Sequence, residues 1–344
     1  MPSNLSTTLA LLTTFAALAA ATSAPAGEPA PPHKPLKIGI IGLDTSHAIA
    51  FAKQLNAEPP EPELAGCRVA VAYPQGSRDI ESSTSRVPEY TRQVEALGVE
   101  IVDSIDALIE LADAVMLESN DGRVHLEQAV PVLKAGKPLF VDKPMAASLA
   151  DVMAIFAAAE HFGTPVFSSS SLRYGKGTLE VRGGSIGDVL GCDTHSPCYL
   201  EATHPDLMWY GVHGVESLFT VMGVGCESVS RTHTADADLA VGLWRGGRIG
   251  SFRGTRTGAA AYGGLAFGAK GNQPVGSYDG YEPLVRDIVR FFRGGPPAVT
   301  SEETIEIFAF MEAADESKRR GGAPVALAPI LEQARAAAEK KRSW

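Results

Sequence analysis

The stretch that most restricts how this chain can fold is Leu36–His47, LKIGIIGLDTSH. An unbroken apolar run leads into a glycine, then small polar residues, then a helical pattern from Ala48 to Leu55. That order describes a buried strand turning sharply into a helix. A strand that is apolar on both faces has to be covered on both faces, which commits the chain to layers of helix above and below a sheet.

The same unit recurs. Apolar runs at Cys67–Tyr73, in EIVDS from Glu100, at Ala112–Glu118, in KPLFVDKP from Lys137 and in TPVFSSS from Thr164 alternate with amphipathic segments, notably Val124–Lys134 and Leu149–Phe162. Strands and helices at these spacings predict a doubly wound parallel sheet of the Rossmann type over residues 36–170. Past Ser171 the texture changes. Strand-like runs near Asp188–Thr194, Glu227–Thr234, Leu239–Trp244, Arg248–Gly254 and Leu265–Gly268 follow one another, interrupted by one amphipathic helix over Trp209–Val221. Helices over Tyr281–Phe292 and Glu302–Arg319 close the pattern. This predicts an α+β domain over 171–344 with a mostly antiparallel sheet. A length of 344 residues suits two such cores.

The formal charge of −10 gives no basic face for phosphate backbones, so no nucleic-acid partner is expected. Residues 1–26 read as a signal peptide. The apolar run Leu9–Ala21 precedes small residues at Ala24 and Ala26, although the first eight residues carry no Lys or Arg. A Pro-rich linker follows over 27–35. The run is too short to span a bilayer, so the expectation is an exported protein, periplasmic or secreted, with no permanent membrane span. Cys67, Cys192, Cys198 and Cys226 form no C-x-x-C pair, and the state of Cys192 and Cys198, bridged or free, stays open at this point.

KIGIIG, HLEQAVPVLKAGKPLFVDKPMA, WYGVHGVE and the closing stretch from Tyr281 to Leu327 occur in this order. Together they resemble the Gfo/Idh/MocA oxidoreductases. The resemblance implies NAD or NADP held at the carboxyl ends of the first sheet's strands, a sugar or cyclitol oxidised against the second sheet, and a homo-oligomer. Asp142-Lys143-Pro144 matches the family's Glu-Lys-Pro motif, which implies that Lys143 stabilises a developing alkoxide while Asp142 orients it. Trp209-Tyr210-Gly211-Val212-His213 matches Asp-x-Gly-x-His with the aspartate lost, leaving His213 as the general acid/base candidate.

The nucleotide loop departs from that family. Where G-x-G-x-x-G is expected, the chain has Gly42, Asp44 and His47, and Tyr73 replaces the acidic residue that normally holds the adenosine ribose. Asp44 would set a carboxylate beside the diphosphate. Gly42, Asp44, Thr45, Ser46, His47, Tyr73, Asn120 and Lys143 are the candidate cofactor-binding residues, with Thr45 or Ser46 also suited to capping the helix. Arg173, Tyr174, His204, Trp209 and Tyr210 are the candidate substrate contacts, the aromatic pair as platforms for a sugar ring. Donors crowd the region from Cys192 to His213, but without a recognised ligand spacing no metal site is assigned there.

Three functions are compatible with these residues. The first is a nicotinamide-dependent oxidoreductase of a sugar or sugar derivative. The second is a carbohydrate-active lyase, isomerase or hydrolase that no longer binds a dinucleotide in the ordinary way. The third is a sugar-binding protein without catalysis.

Overall fold

The computed structural model describes residues 35–344; the expected signal peptide and almost all of the linker lie outside them. The first half runs β1 (Leu36–Ile41), α1 (Ser46–Leu55), β2 (Cys67–Tyr73), α2 (Glu81–Glu95), β3 (Glu100–Ile101), α3 (Ile105–Leu111), β4 (Ala114–Leu117), α4 (His125–Lys134), β5 (Leu139–Asp142), α5 (Leu149–Phe162) and β6 (Val166–Ser169). Its six strands are parallel in the order β3-β2-β1-β4-β5-β6. The order reverses between β1 and β4, and the crevice at such a reversal is where open α/β sheets hold ligands. Alternation along the strands builds two cores: Ile38 and Ile40 face α1, whereas Ile41 joins Val115, Leu117 and Val141 under α4 and α5.

After a 3₁₀ turn at Ser171–Tyr174 the chain continues through α6 (Lys176–Arg182), β7 (Val189–Pro197), α7 (Asp206–Trp209), α8 (Val212–Met222), β8 (Cys226–His233), β9 (Ala237–Trp244), β10 (Arg248–Thr255), β11 (Gly263–Gly268), β12 (Gly271–Val275), α9 (Glu282–Phe292), α10 (Ser301–Arg319), β13 (Val325–Ala326) and α11 (Leu327–Glu339). The second sheet has the order β12-β11-β7-β10-β9-β8-β13 and is antiparallel except for the β10–β7 pair. Its inner face packs Phe219, Trp244, Phe252 and Phe310, and its outer face exposes Leu190, Leu243, Ile249 and Leu265.

Two features differ from the sequence reading. The helix expected over Trp209–Val221 is broken at Tyr210-Gly211, between α7 and α8. A side chain at Gly211 would meet the Leu207 carbonyl at 2.9 Å and Cys198 Sγ at 3.1 Å, so only glycine permits this close join. α9 comes after the second sheet, yet Leu284, Val285, Ile288, Phe291 and Phe292 pack with Phe51, Phe140 and Phe167 against the first. All four cysteines are free and buried. Among the described residues, no helix is long and apolar enough to cross a membrane.

Candidate active site

A cavity of about 380 Å³ opens where the C-terminal edge of the first sheet meets the second, a size that suits a small molecule. Of the residues singled out from the sequence, Thr45, Ser46, His47, Asn120, Lys143, Trp209, Tyr210 and His213 line it. Ser82, Arg86, Tyr199, Tyr262, Tyr278 and Tyr281 also line it and had not been singled out.

Each side chain reaches the cavity for a local reason. Thr45 caps α1, its Oγ1 accepting from the Ala48 amide at 3.2 Å, and this fixes the loop that presents Ser46 and His47. Gly42, at φ +90°, brings β1 against the β4 loop so closely that a Cβ would lie 2.4 Å from the Ser119 nitrogen. Its role is to turn the chain. Lys143 follows the last residue of β5, and His213 sits in the first turn of α8 just past the Gly211 break. The ring of His213 is met edge-on by Tyr210 and Tyr262, at centroid separations of 5.0 and 6.2 Å. The Lys143 ammonium stands 5.8 Å from the Tyr210 ring centroid.

Burial, with the charge of Lys143 and the nearby His47, pushes the His213 imidazolium well below its ordinary range, so the ring is neutral at neutral pH. Its Nδ1 is 2.7 Å from Ser170 Oγ, which leaves Nε2 for a ligand. A neutral imidazole held in one orientation beside an ammonium can take a proton from a hydroxyl while the ammonium stabilises the oxygen left behind.

Several candidates lie elsewhere. Asp44 does not face the cavity: it is fully buried, accepting from the Asn120 amide at 2.9 Å and from the Ser83 hydroxyl at 2.7 Å. Burial raises its carboxyl to about 6. The feared clash with a diphosphate is thereby removed from the cavity wall. Tyr73 packs against the core under α4 and α5. Arg173, expected in the substrate cleft, is buried between Glu216 and Glu303, each 2.7 Å away, and ties the 3₁₀ turn after β6 to α8 and α10. Tyr174 is likewise buried in the core beside α9. His204 lies behind the wall, tilted against the ring of Trp209 and 3.3 Å from Asp121. The donors between Cys192 and His213 do not converge: Asp206 pairs with Arg231 and Lys318, and Asp193 accepts from Ser251.

Two groups of buried acids border the crevice. Toward β2, Asp121 accepts from Ser77 and Arg123, and Arg123 also reaches Asp79, so the loops after β2 and β4 are bridged. These bonds hold the Asp121 carboxyl far below the usual range although burial opposes them. Toward β5, His47 Nδ1 lies 2.8 Å from Asp142 Oδ2, and Glu118 sits beside them. Burial, then the neighbouring Asp142, pushes the Glu118 carboxyl well above its ordinary value.

A parallel sheet with its order reversed at β1, followed by a second, mostly antiparallel sheet, defines a Rossmann-type fold with an α+β second domain. Residues 36–169 match the model of the Gfo/Idh/MocA oxidoreductase family, described as having an NAD-binding Rossmann fold. Solved structures agree in fold. An oxidoreductase from Thermotoga maritima is 16% identical, with a TM-score of 0.67, 87% of this chain and 100% of that chain covered. Scyllo-inositol dehydrogenase from Lactobacillus casei, solved with NAD(H) and scyllo-inositol, is 16% identical with a TM-score of 0.66 and coverage of 86% and 100%. The WlbA dehydrogenase from Bordetella pertussis, solved with NADH and UDP-GlcNAcA, is 17% identical with a TM-score of 0.66 and coverage of 85% and 98%. No curated protein matches the chain in sequence.

The wall of the cavity fits the anionic part of a dinucleotide by its donors. The head of α1 offers its first amides with Thr45 and Ser46, and Ser82, Arg86 and Asn120 stand on the same wall. The fit is not the family's glycine-loop fit, because Asp44 holds the Asn120 amide and no carboxylate stands at Tyr73 to clamp a ribose.

Proposed function

We propose that the protein oxidises or reduces a hydroxyl carbon of a sugar, cyclitol or sugar derivative, with NAD or NADP as hydride carrier. The observation that carries this reading is the convergence of Lys143, just past β5 of the first sheet, and neutral His213, at the head of α8, on one cavity. When bound, the nicotinamide supplies the hydride acceptor or donor. Thr45, Ser46, Ser82, Arg86 and Asn120 would hold its diphosphate.

The protein's own part is proton management. His213 Nε2 takes the proton of the reacting hydroxyl in the tautomer whose Nδ1–H donates to Ser170, which holds the ring's orientation. Lys143 stabilises the oxygen as charge develops on it. Trp209 and the tyrosines at 199, 210, 262, 278 and 281 offer ring faces to apolar sugar C–H surfaces and hydroxyls to sugar oxygens, and they exclude water from the reacting carbon.

A second reading, cofactor-independent acid/base chemistry such as elimination, isomerisation or hydrolysis, is favoured by the Asp121–Ser77 and Arg123–Asp79 bridges. They span the crevice on the side where the adenosine half would lie. Thermal melting with millimolar NAD⁺, NADH, NADP⁺ and NADPH separates the two. The first reading expects at least one of them to raise the melting temperature. No rise with any of the four, together with turnover of a sugar substrate in their absence, would establish the second instead.

A further inference from the structure

We infer that His47, Glu118 and Asp142 form a binding site for a divalent cation of the zinc class, directly beneath the cavity floor. The trio is assembled from three separate elements: the first turn of α1, the residue after β4 and the last residue of β5. One ligand atom from each lies within 4.8 Å of the others. All three residues are buried, Glu118 and Asp142 completely.

What makes this more than a cluster of acids is the accounting of its polar atoms. Both carboxylate oxygens of Glu118 are buried without a hydrogen-bond partner, and so is Oδ1 of Asp142. A bare carboxylate in such surroundings is costly, by several kcal/mol for an unpaired ion as an order of magnitude. A proton shared between Glu118 and Asp142 is the competing account. It satisfies two of the three bare oxygens and leaves the third.

A divalent cation satisfies the set differently. The two carboxylates balance its charge, and one imidazole with two carboxylates is a donor set that zinc accepts. Two ligands about 2.1 Å from a tetrahedral ion lie roughly 3.4 Å apart. The His47–Asp142 pair, now 2.8 Å apart, therefore has to open only slightly for an ion to replace the proton between them. Lys143, His213, Asp44, Tyr281 and His125 are the other charged or titratable groups whose fields reach the trio. The Lys143 ammonium leans toward Tyr210.

Three protein ligands leave a coordination position for water or a substrate hydroxyl, the pattern of catalytic zinc sites. His47 belongs both to the trio and to the cavity wall. The inference stands on the trio alone and does not depend on the nicotinamide reading.

The test uses the full chain purified without chelator or metal-affinity resin, with bound metals measured by mass spectrometry. It is then stripped with a strong chelator and titrated with Zn²⁺, Mn²⁺ or Co²⁺ while melting is followed. The expected result is about one equivalent of metal as isolated, or a melting temperature that rises on titration and saturates near one equivalent. Glu118→Gln and His47→Ala should abolish both stoichiometric binding and the rise. If either variant fails to fold, the Co²⁺ absorption spectrum of the unmutated protein decides, since intense visible bands require a low-coordinate site. Absence of metal with no response to any of the three ions overturns the inference. So does full stoichiometry retained in both variants. A Glu118→Gln protein that melts higher than the parent, with no metal in either, assigns the trio to proton sharing.

Discussion

Four buried carboxylates stand along the C-terminal edge of the first sheet, and the two halves of that edge treat them in opposite ways. Toward β2, every oxygen of Asp44 and Asp121 has a partner inside the protein, from Asn120 and Ser83 or from Ser77 and Arg123. Toward β5, Glu118 and half of Asp142 have none. The first pair is finished structure: its partners are neighbours in the fold, and it knits the β1, β2 and β4 loops together. The second pair is incomplete without something the chain does not itself supply. Beside it stand Lys143 and His213, the groups that carry the proposed chemistry.

That contrast can be broken most severely at the working end. Lys143→Ala and His213→Ala should each lower kcat/KM by about 10² to 10⁴, the usual span for a positioned acid/base or oxyanion-stabilising group, while circular dichroism and melting stay close to the parent. Steady-state kinetics with the substrate class identified checks this, and wild-type turnover in both variants would remove them from the reaction. On the β2 side the expected cost falls on stability. Asp121→Ala leaves Arg123 paired with Asp79 alone and takes the partner from Ser77 and from buried His204, and it should cost about 2 to 4 kcal/mol in denaturant unfolding, as losing several buried hydrogen bonds does.

Smaller effects sharpen the comparison by pH. Asp44 binds a proton more tightly folded than unfolded, since burial raises it from 3.8 to about 6. Its contribution to stability is therefore complete below pH 3.8 and is lost as pH rises through 6. Asp44→Asn keeps one acceptor and removes the charge. The difference in unfolding free energy between variant and parent should grow by about 1 to 3 kcal/mol in the variant's favour from pH 4 to pH 8. His213 has the opposite sign. Its proton affinity falls on folding, so stability is present above about 6.5 and is lost as pH drops below that value, a slope that His213→Gln should remove. Unfolding measured at a series of pH values reads both.

Much of the fold was legible because it rests on local order. Leu36–His47 states its strand and turn in consecutive residues, and the runs at Cys67–Tyr73, Leu239–Trp244 and Arg248–Gly254 appear as β2 and most of β9 and β10. The position of Lys143 at the cavity could be read from the end of its strand, whereas His213 was singled out by its motif alone, since the sequence reading ran one helix through the break that precedes it. Arg173 was misread for the opposite reason: the partners that bury it, Glu216 and Glu303, lie 43 and 130 residues away. The tyrosines at 199, 262, 278 and 281 sit in segments between regular elements, where no periodicity says which way a ring turns. Glu118 appeared in the sequence only as the end of an apolar run, and only the folded sheet shows that His47 and Asp142 stand beside it while nothing in the protein satisfies its oxygens.

The late return of α9 to the first sheet bears on how the chain reaches its native state. Phe51, Phe140 and Phe167 are covered by residues 284–292, so the first sheet keeps an apolar face bare until the second has been synthesised. A fragment ending near residue 170 should therefore self-associate instead of folding as an independent unit. Tyr281, the residue before α9, packs 4.8 Å from the ring of His47. The same docking event that seals the apolar face thus completes the wall of the cavity, and the site comes into being only when the folding of both halves is done.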